Sequence, residues 1–133
     1  MQELDQVFLE KAEQNLDATE SEFANGRYDT SASRAYYACF QAAIYALRRA
    51  GIGPARRQGQ WGHDFVQAQF NGELINRRKQ YPSALRPTLS QNYALRIVAD
   101  YTTDRVTQIR AARAATRAED FVEAVRTGGG DSS

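Results

Sequence analysis

The sequence predicts an all-α fold, a four-to-five-helix antiparallel bundle organised around one apolar helix. Three observations lead there. The run Arg34–Leu47 is apolar almost without a break, i, i+3, i+4 ladders of apolar residues flank it on both sides, and no stretch alternates with the period of a half-buried strand. Within the run, Tyr37, Phe40, Ile44 and Leu47 recur along one helical stripe, and Tyr36, Ala43 and Tyr45 widen it around the cylinder. Ala35, Ala38, Ala42, Ala43 and Ala46 favour helix and let neighbouring helices approach closely, so this is the expected hub.

The remaining elements can be placed in chain order. Leu4, Val7, Phe8, Lys11, Ala12, Asn15, Leu16, Thr19 and Phe23 form an amphipathic first helix with acidic residues opposite, stopped by Asn25-Gly26. Asp29 or Thr30 is expected to cap the hub helix, which runs to about Ala50 and ends at Gly51-Ile52-Gly53-Pro54. Residues 55–60 read as an exposed basic loop with Arg56-Arg57 at its tip. A third helix begins near His63 and is interrupted at Asn71-Gly72, with Leu74, Ile75 and Tyr81 able to continue it through Arg77-Arg78-Lys79, and Pro82 separates it from the fourth. Leu85, Leu89, Tyr93, Ile97 and Tyr101 form a slanting ridge on that fourth helix, entered at Pro82-Ser83 and Pro87. Thr102, Thr103 or Asp104 is expected to cap a fifth, with apolar positions Val106, Ile109, Ala112, Ala115, Phe121, Val122 and Val125. One domain over residues 1–126 and a flexible tail at 127–133 result.

The 133 residues suffice for one core, and a net charge of +1 names no partner. Its distribution is uneven: residues 1–29 hold eight acidic and two basic side chains, residues 34–117 fourteen basic and four acidic. Fifteen of the seventeen basic residues are arginine, whose planar fork suits phosphate, although a GC-rich genome also yields arginine. Cys39 is the only cysteine, which excludes an intrachain disulfide and fits a reducing compartment. The acidic start is unlike a signal peptide, and no apolar run nears the roughly 20 residues of a membrane span. A cytoplasmic protein is expected, with no membrane contact, no metal and no cofactor.

The order of these signals resembles the HEPN superfamily. The residues carrying the likeness are Ser33-Arg34-Ala35-Tyr36-Tyr37-Ala38-Cys39-Phe40 in the hub and Leu95-Arg96-Ile97-Val98-Ala99-Asp100-Tyr101 in the fourth helix. They resemble a branch of small bacterial proteins with a Ser/Asn-Arg-Ala-Tyr-Tyr-Ala hub and an Arg-x-x-Ala-Asp-Tyr motif. The resemblance implies a homodimer whose two motif copies meet in a cleft. It also implies an RNA-binding or metal-independent ribonuclease activity of the toxin-antitoxin or defence kind, with a minimal nucleotidyltransferase as antitoxin, or else a non-catalytic helical module that pairs with such a nucleotidyltransferase or binds a nucleotide. The family motif is an arginine, a polar residue, several variable residues and a histidine; here Ile97 follows Arg96 and Tyr101 stands where the histidine belongs.

That departure bears on the chemistry. Metal-free RNA cleavage needs a base for the 2′-hydroxyl, an acid for the leaving oxygen and a cation for the phosphate, and arginine suits only the last. Histidine, with an ordinary pKa of about 6.5, transfers protons at neutral pH, and a phenol near about 10 is a poor base. The candidate catalytic residues are therefore Arg96, Asp100, Tyr101 and the single histidine, His63. Arg96 and Asp100 are four apart on one helix face, a spacing that equally describes an ordinary salt bridge, and His63 equally reads as a polar residue at a helix start. Candidate RNA-binding residues are Arg77, Arg78 and Lys79, and the stripe Arg110, Arg113 and Arg117, which as readily form solvated faces. The seven tyrosines can stack bases, but at helical spacing more often fill the core.

Overall fold

A computed structural model describes residues 2–54 and 60–128, with side chains from residue 4. The elements among the described residues are all helical: α1 (Gln2–Ala24), α2 (Tyr28–Arg49), α3 (His63–Gln69), a π-helical continuation (Phe70–Arg77), a 3₁₀ turn (Ser83–Leu85), α4 (Thr88–Tyr101) and α5 (Gln108–Arg126). No strand occurs among the described residues. The expected basic loop with Arg56-Arg57 falls at 55–59, outside the described residues, as does the tail beyond Gly128.

The bundle is organised on α2, as its composition demands. It packs against α1, α3, the π segment, α4 and α5, and Ala32, Ala35, Ala38, Ala42, Ala43 and Ala46 are all essentially solvent-free. Small side chains on several faces let four helices crowd one. The gaps between them are filled from outside by Phe70, Leu74, Leu89, Phe121 and Val122. Gly26, at φ +76°, turns the chain from α1 into α2 in a conformation that residues with a Cβ rarely adopt.

Several local expectations are corrected. Asp29 does not cap α2; it lies in the first turn, and its carboxylate accepts the backbone N–H of Val106 at 2.7 Å, tying α2 to the start of α5. Thr30 is exposed and α2 has no side-chain cap at all. The cap of α5 is Thr107, which accepts from Arg110 N at 3.2 Å, rather than Thr102, Thr103 or Asp104. The buried stripe of α5 is Ala111, Ala114, Ala118, Phe121, Val122 and Val125, so Ile109 points to solvent and Ala112 and Ala115 only flank the core. On α1, Leu4 and Val7 are exposed and Leu9 is buried instead.

Asn71-Gly72 does not break the third helix. The chain rewinds there into a π-helix, and Phe70, Leu74 and Ile75 at i, i+4 and i+5 face the core together because the wider turn brings them into register. Lys79, at φ 52°, then ends it in the left-handed region. The ridge on α4 begins one element early, since Leu85 belongs to the 3₁₀ turn; it climbs out of the core from buried Leu89 to exposed Tyr101.

Candidate active site

Arg96 stands among four tyrosine rings. It projects from α4 toward α2, and its guanidinium carbon lies 5.6 Å from the ring centre of Tyr36, 5.1 Å from Tyr37, 5.9 Å from Tyr93 and 5.3 Å from Tyr101. Four phenol rings around one cation are a cation–π cage, a contact that strengthens as water is excluded. The side chain keeps only 15% of its surface open. Nη2 donates to the Tyr101 hydroxyl at 3.1 Å, and Nε stands 3.5 Å from Asp100 Oδ2 without forming a hydrogen bond. Burial works against the charge on Arg96, but Tyr37, Tyr101 and Asp100 outweigh it and the group is held more firmly protonated than usual.

Asp100 is itself fixed from α2, whose Ser33 hydroxyl donates to Oδ2 at 3.0 Å. The pair is thus both things its spacing describes: an i, i+4 ion pair, and a bridge from α4 to the buried start of the hub. Arg34, one residue on, lies 4.8 Å from the Tyr37 ring and donates to Asn15 Oδ1 at 3.1 Å. Tyr37 is therefore flanked by two guanidinium groups.

His63 reaches the same cluster from α3. Its Nδ1 is 2.9 Å from the Tyr36 hydroxyl, and its ring stacks on Tyr93 with centres 3.8 Å apart and planes 15° from parallel. Arg96 and His63 thus grip the same two rings, Tyr36 and Tyr93, which touch edge to face at 5.4 Å. Burial lowers the His63 pKa, helped by the Arg96 charge, while Asp64 and a hydrogen bond with Gln67 partly restore it. The imidazole is therefore neutral at pH 7, with one nitrogen free of a proton. Burial pushes the Tyr36 hydroxyl far up, so it stays protonated and acts as a neutral partner to His63.

Of the residues singled out from the sequence, Arg96, Asp100, Tyr101 and His63 come together in one cluster. Tyr36, Tyr37, Tyr93, Arg34 and Ser33 were legible only as core or motif residues; the signal available for them was Tyr93 three residues before Arg96. The basic candidates lie elsewhere. Arg77 and Arg78 are paired with Glu73, Arg78 also donates to the Ala50 carbonyl, and Lys79 bonds to Asn76 O. Arg110, Arg113 and Arg117 line a cleft of about 270 Å³ between α4 and α5. Arg117 is anchored there by Nε to the buried Asn92 Oδ1 at 2.8 Å, and Asn92 in turn bonds to Ala114 O and Cys39 Sγ. Among the described residues no group of three or more His, Cys, Asp or Glu could hold a metal ion, and no helix is long and apolar enough to cross a membrane.

An all-α bundle packed around one apolar helix is the architecture that the resemblance to HEPN proteins implies. The chain belongs to that family: the HEPN domain family matches it over residues 6–128. It is also 32% identical over 124 residues, 91% of this chain and 85% of the relative, to a Methanocaldococcus jannaschii protein named "Putative toxin MJ0605".

Proposed function

We propose that this is a toxin-type HEPN protein that cleaves single-stranded RNA without a metal at the cluster of Arg96, His63, Asp100 and Tyr101. The observation that carries the reading is the convergence of Arg96 and the only histidine on the same pair of rings. The motif lacks its histidine in sequence, but an imidazole from α3 enters the cluster in space.

The geometry supports a role for each residue. His63 with its proton on Nδ1, donated to Tyr36, offers the Nε2 lone pair to the ribose 2′-hydroxyl. The alkoxide attacks phosphorus, the bond to the 5′-oxygen breaks, and a 2′,3′-cyclic phosphate and a 5′-hydroxyl result. Arg96 holds the phosphoryl oxygens and stabilises the added charge, with Arg34 supplying a second cation beyond Tyr37. Tyr101, two-thirds exposed and bonded to Arg96, gives its proton to the leaving oxygen, the resulting phenolate being stabilised by the guanidinium. Asp100, occupied by Ser33 and Arg96, positions the arginine rather than moving a proton. Two copies of the chain form the functional unit, and a minimal nucleotidyltransferase is the antitoxin partner.

The test is incubation of the purified chain with RNA in EDTA, beside Arg96→Ala and His63→Gln. Cleavage by the parent, cut by about 10²–10³-fold in Arg96→Ala and about 10²–10⁴-fold in His63→Gln, is expected, with cyclic-phosphate ends. An inert parent that still binds RNA would replace this reading by the non-catalytic module, which the presence of Ile97 and Tyr101 at the motif positions favours.

A further inference from the structure

The three arginines of α5 form an arrangement that is unfavourable in isolation. Arg110, Arg113 and Arg117 are like charges at i, i+3 and i+7, and like charges so spaced repel. No carboxylate lies within ion-pair distance of any of them among the described residues. Arg117 is the most committed: half-buried, it is fixed through Nε to the buried Asn92, which leaves its terminal nitrogens for the cleft. Burial lowers its pKa, Cys39 opposes that, and Arg113 lowers it further, so its charge is held against desolvation and a like-charged neighbour. A second hollow, lined by Ala112, Arg113, Thr116 and Arg117, continues the cleft across α5 through the same two arginines. The feature is thus a cationic trough rather than a closed pocket, and an extended anion fits it better than a compact one.

Its position gives it a meaning. At about 100° per residue, Gln91, Ala94 and Leu95, which line the cleft, lie on the side of α4 opposite to Tyr93, Arg96 and Asp100. Between the two sides, Ile97 and Tyr101 form the outer ridge of the helix. A helix with its side chains is about 10–12 Å across, so one short strand can lie over this ridge with its ends in the two places. The guanidinium groups follow one another along α5 at about 4.5 and 6 Å of axial rise, comparable with phosphates spaced about 3.4 Å apart in a stacked strand and further when unstacked.

We infer that the Arg110–Arg113–Arg117 trough is a phosphate-backbone subsite that holds the same single-stranded RNA at a distance from the scissile bond, the strand crossing α4 to reach the Arg96 cluster. The inference rests on the proposed RNA cleavage and adds a second contact on the far side of α4. It is a binding role only: the arginines take part in no proton transfer.

The test is fluorescence anisotropy of a labelled 2′-O-methyl oligoribonucleotide, which binds but is not cleaved, across a salt series. The parent and Arg110→Ala/Arg113→Ala are compared, with Arg110→Lys/Arg113→Lys as the charge-preserving control and circular dichroism as the check on folding. Arg117 is left intact because it is tied into the core. The alanine pair should bind more weakly and reduce the slope of log affinity against log salt by about 1.4, about 0.7 for each lost phosphate contact in a single strand, and the lysine pair should restore most of it. An unchanged slope in a parent that cleaves RNA would overturn the trough and leave the cleavage site standing. A parent that binds no strand would overturn both. Binding of polyglutamate that depends on Arg110 and Arg113, with strand binding indifferent to them, would overturn the inference in favour of a dock for an acidic protein.

Discussion

His63 is the only histidine in the chain, so its ring protons give one resolvable NMR titration with no assignment needed. Burial lowers its pKa and the Arg96 charge adds to that, so the midpoint should fall below the ordinary value of about 6.5. That shift also sets the sign of its effect on stability. The unfolded chain takes up the proton first as pH falls, so this group's contribution is complete above about pH 6.5 and is lost as pH drops toward the folded pKa. Arg96→Ala removes a lowering charge and should move the midpoint up, whereas Asp64→Asn removes a raising one and should move it down. Equal midpoints in Arg96→Ala and the parent would mean that the imidazole and the guanidinium are not electrostatic neighbours. The same residue explains why the site was only half legible. Arg96, Asp100 and Tyr101 sit within six positions of one another and announce a motif, while His63 comes from a different helix through contacts with Tyr36 and Tyr93 that no spacing encodes.

At the scale of elements, the contact between α1 and α5 carries a titrating pair of its own. Glu119 shares a hydrogen bond with Glu20 across the two helices, and that bond, with some burial and the nearby charges of Glu20 and Asp120, raises the Glu119 pKa. A raised carboxyl stabilises the fold when protonated: the contribution is present below the unfolded pKa of about 4.3 and is lost as pH rises through the folded value. Glu119→Gln keeps a donor facing Glu20 and no longer ionises, so it should raise the thermal midpoint at pH 7 and leave it almost unchanged at pH 3.5. A variant with an equal effect at both values would place the pair apart in solution. Elements also mark where sequence periodicity succeeds and fails. The hub and the existence of α1, α4 and α5 follow from apolar spacing, because burial on one side of a helix is a local pattern. Their caps do not: Asp29 has the right chemistry for the start of α2, but serves the N–H of Val106, which is 77 positions away. Asn71-Gly72 likewise has the composition of a stop, yet the chain gains more by widening its turn to bury Phe70, Leu74 and Ile75 than by ending there.

For the whole molecule the deciding feature is the alanine surface of α2. A helix touched by α1, α3, α4 and α5 lets them approach closely where its own side chains are small. Ala35, Ala38, Ala42 and Ala43 are all 0% exposed, while the bulk around them comes from Ile44 and Leu47 of α2 and from Phe70, Phe121 and Leu89 on the surrounding elements. The consequence reaches the site, because Ser33, Tyr36 and Tyr37 lie on the same helix and set the cage around Arg96. Adding three carbons at a filled position should therefore cost stability by overpacking, about 1–3 kcal/mol. Ala42→Leu is the test, measured by urea denaturation beside Ala24→Leu at the exposed end of α1, where no neighbour has to move. The first should lower the transition midpoint at an unchanged slope, and the second should leave it within about 0.5 kcal/mol. A neutral Ala42→Leu would mean that α2 is held less closely than its solvent-free alanines require, and would take with it the argument that hub packing fixes the geometry of Tyr36 and Tyr37.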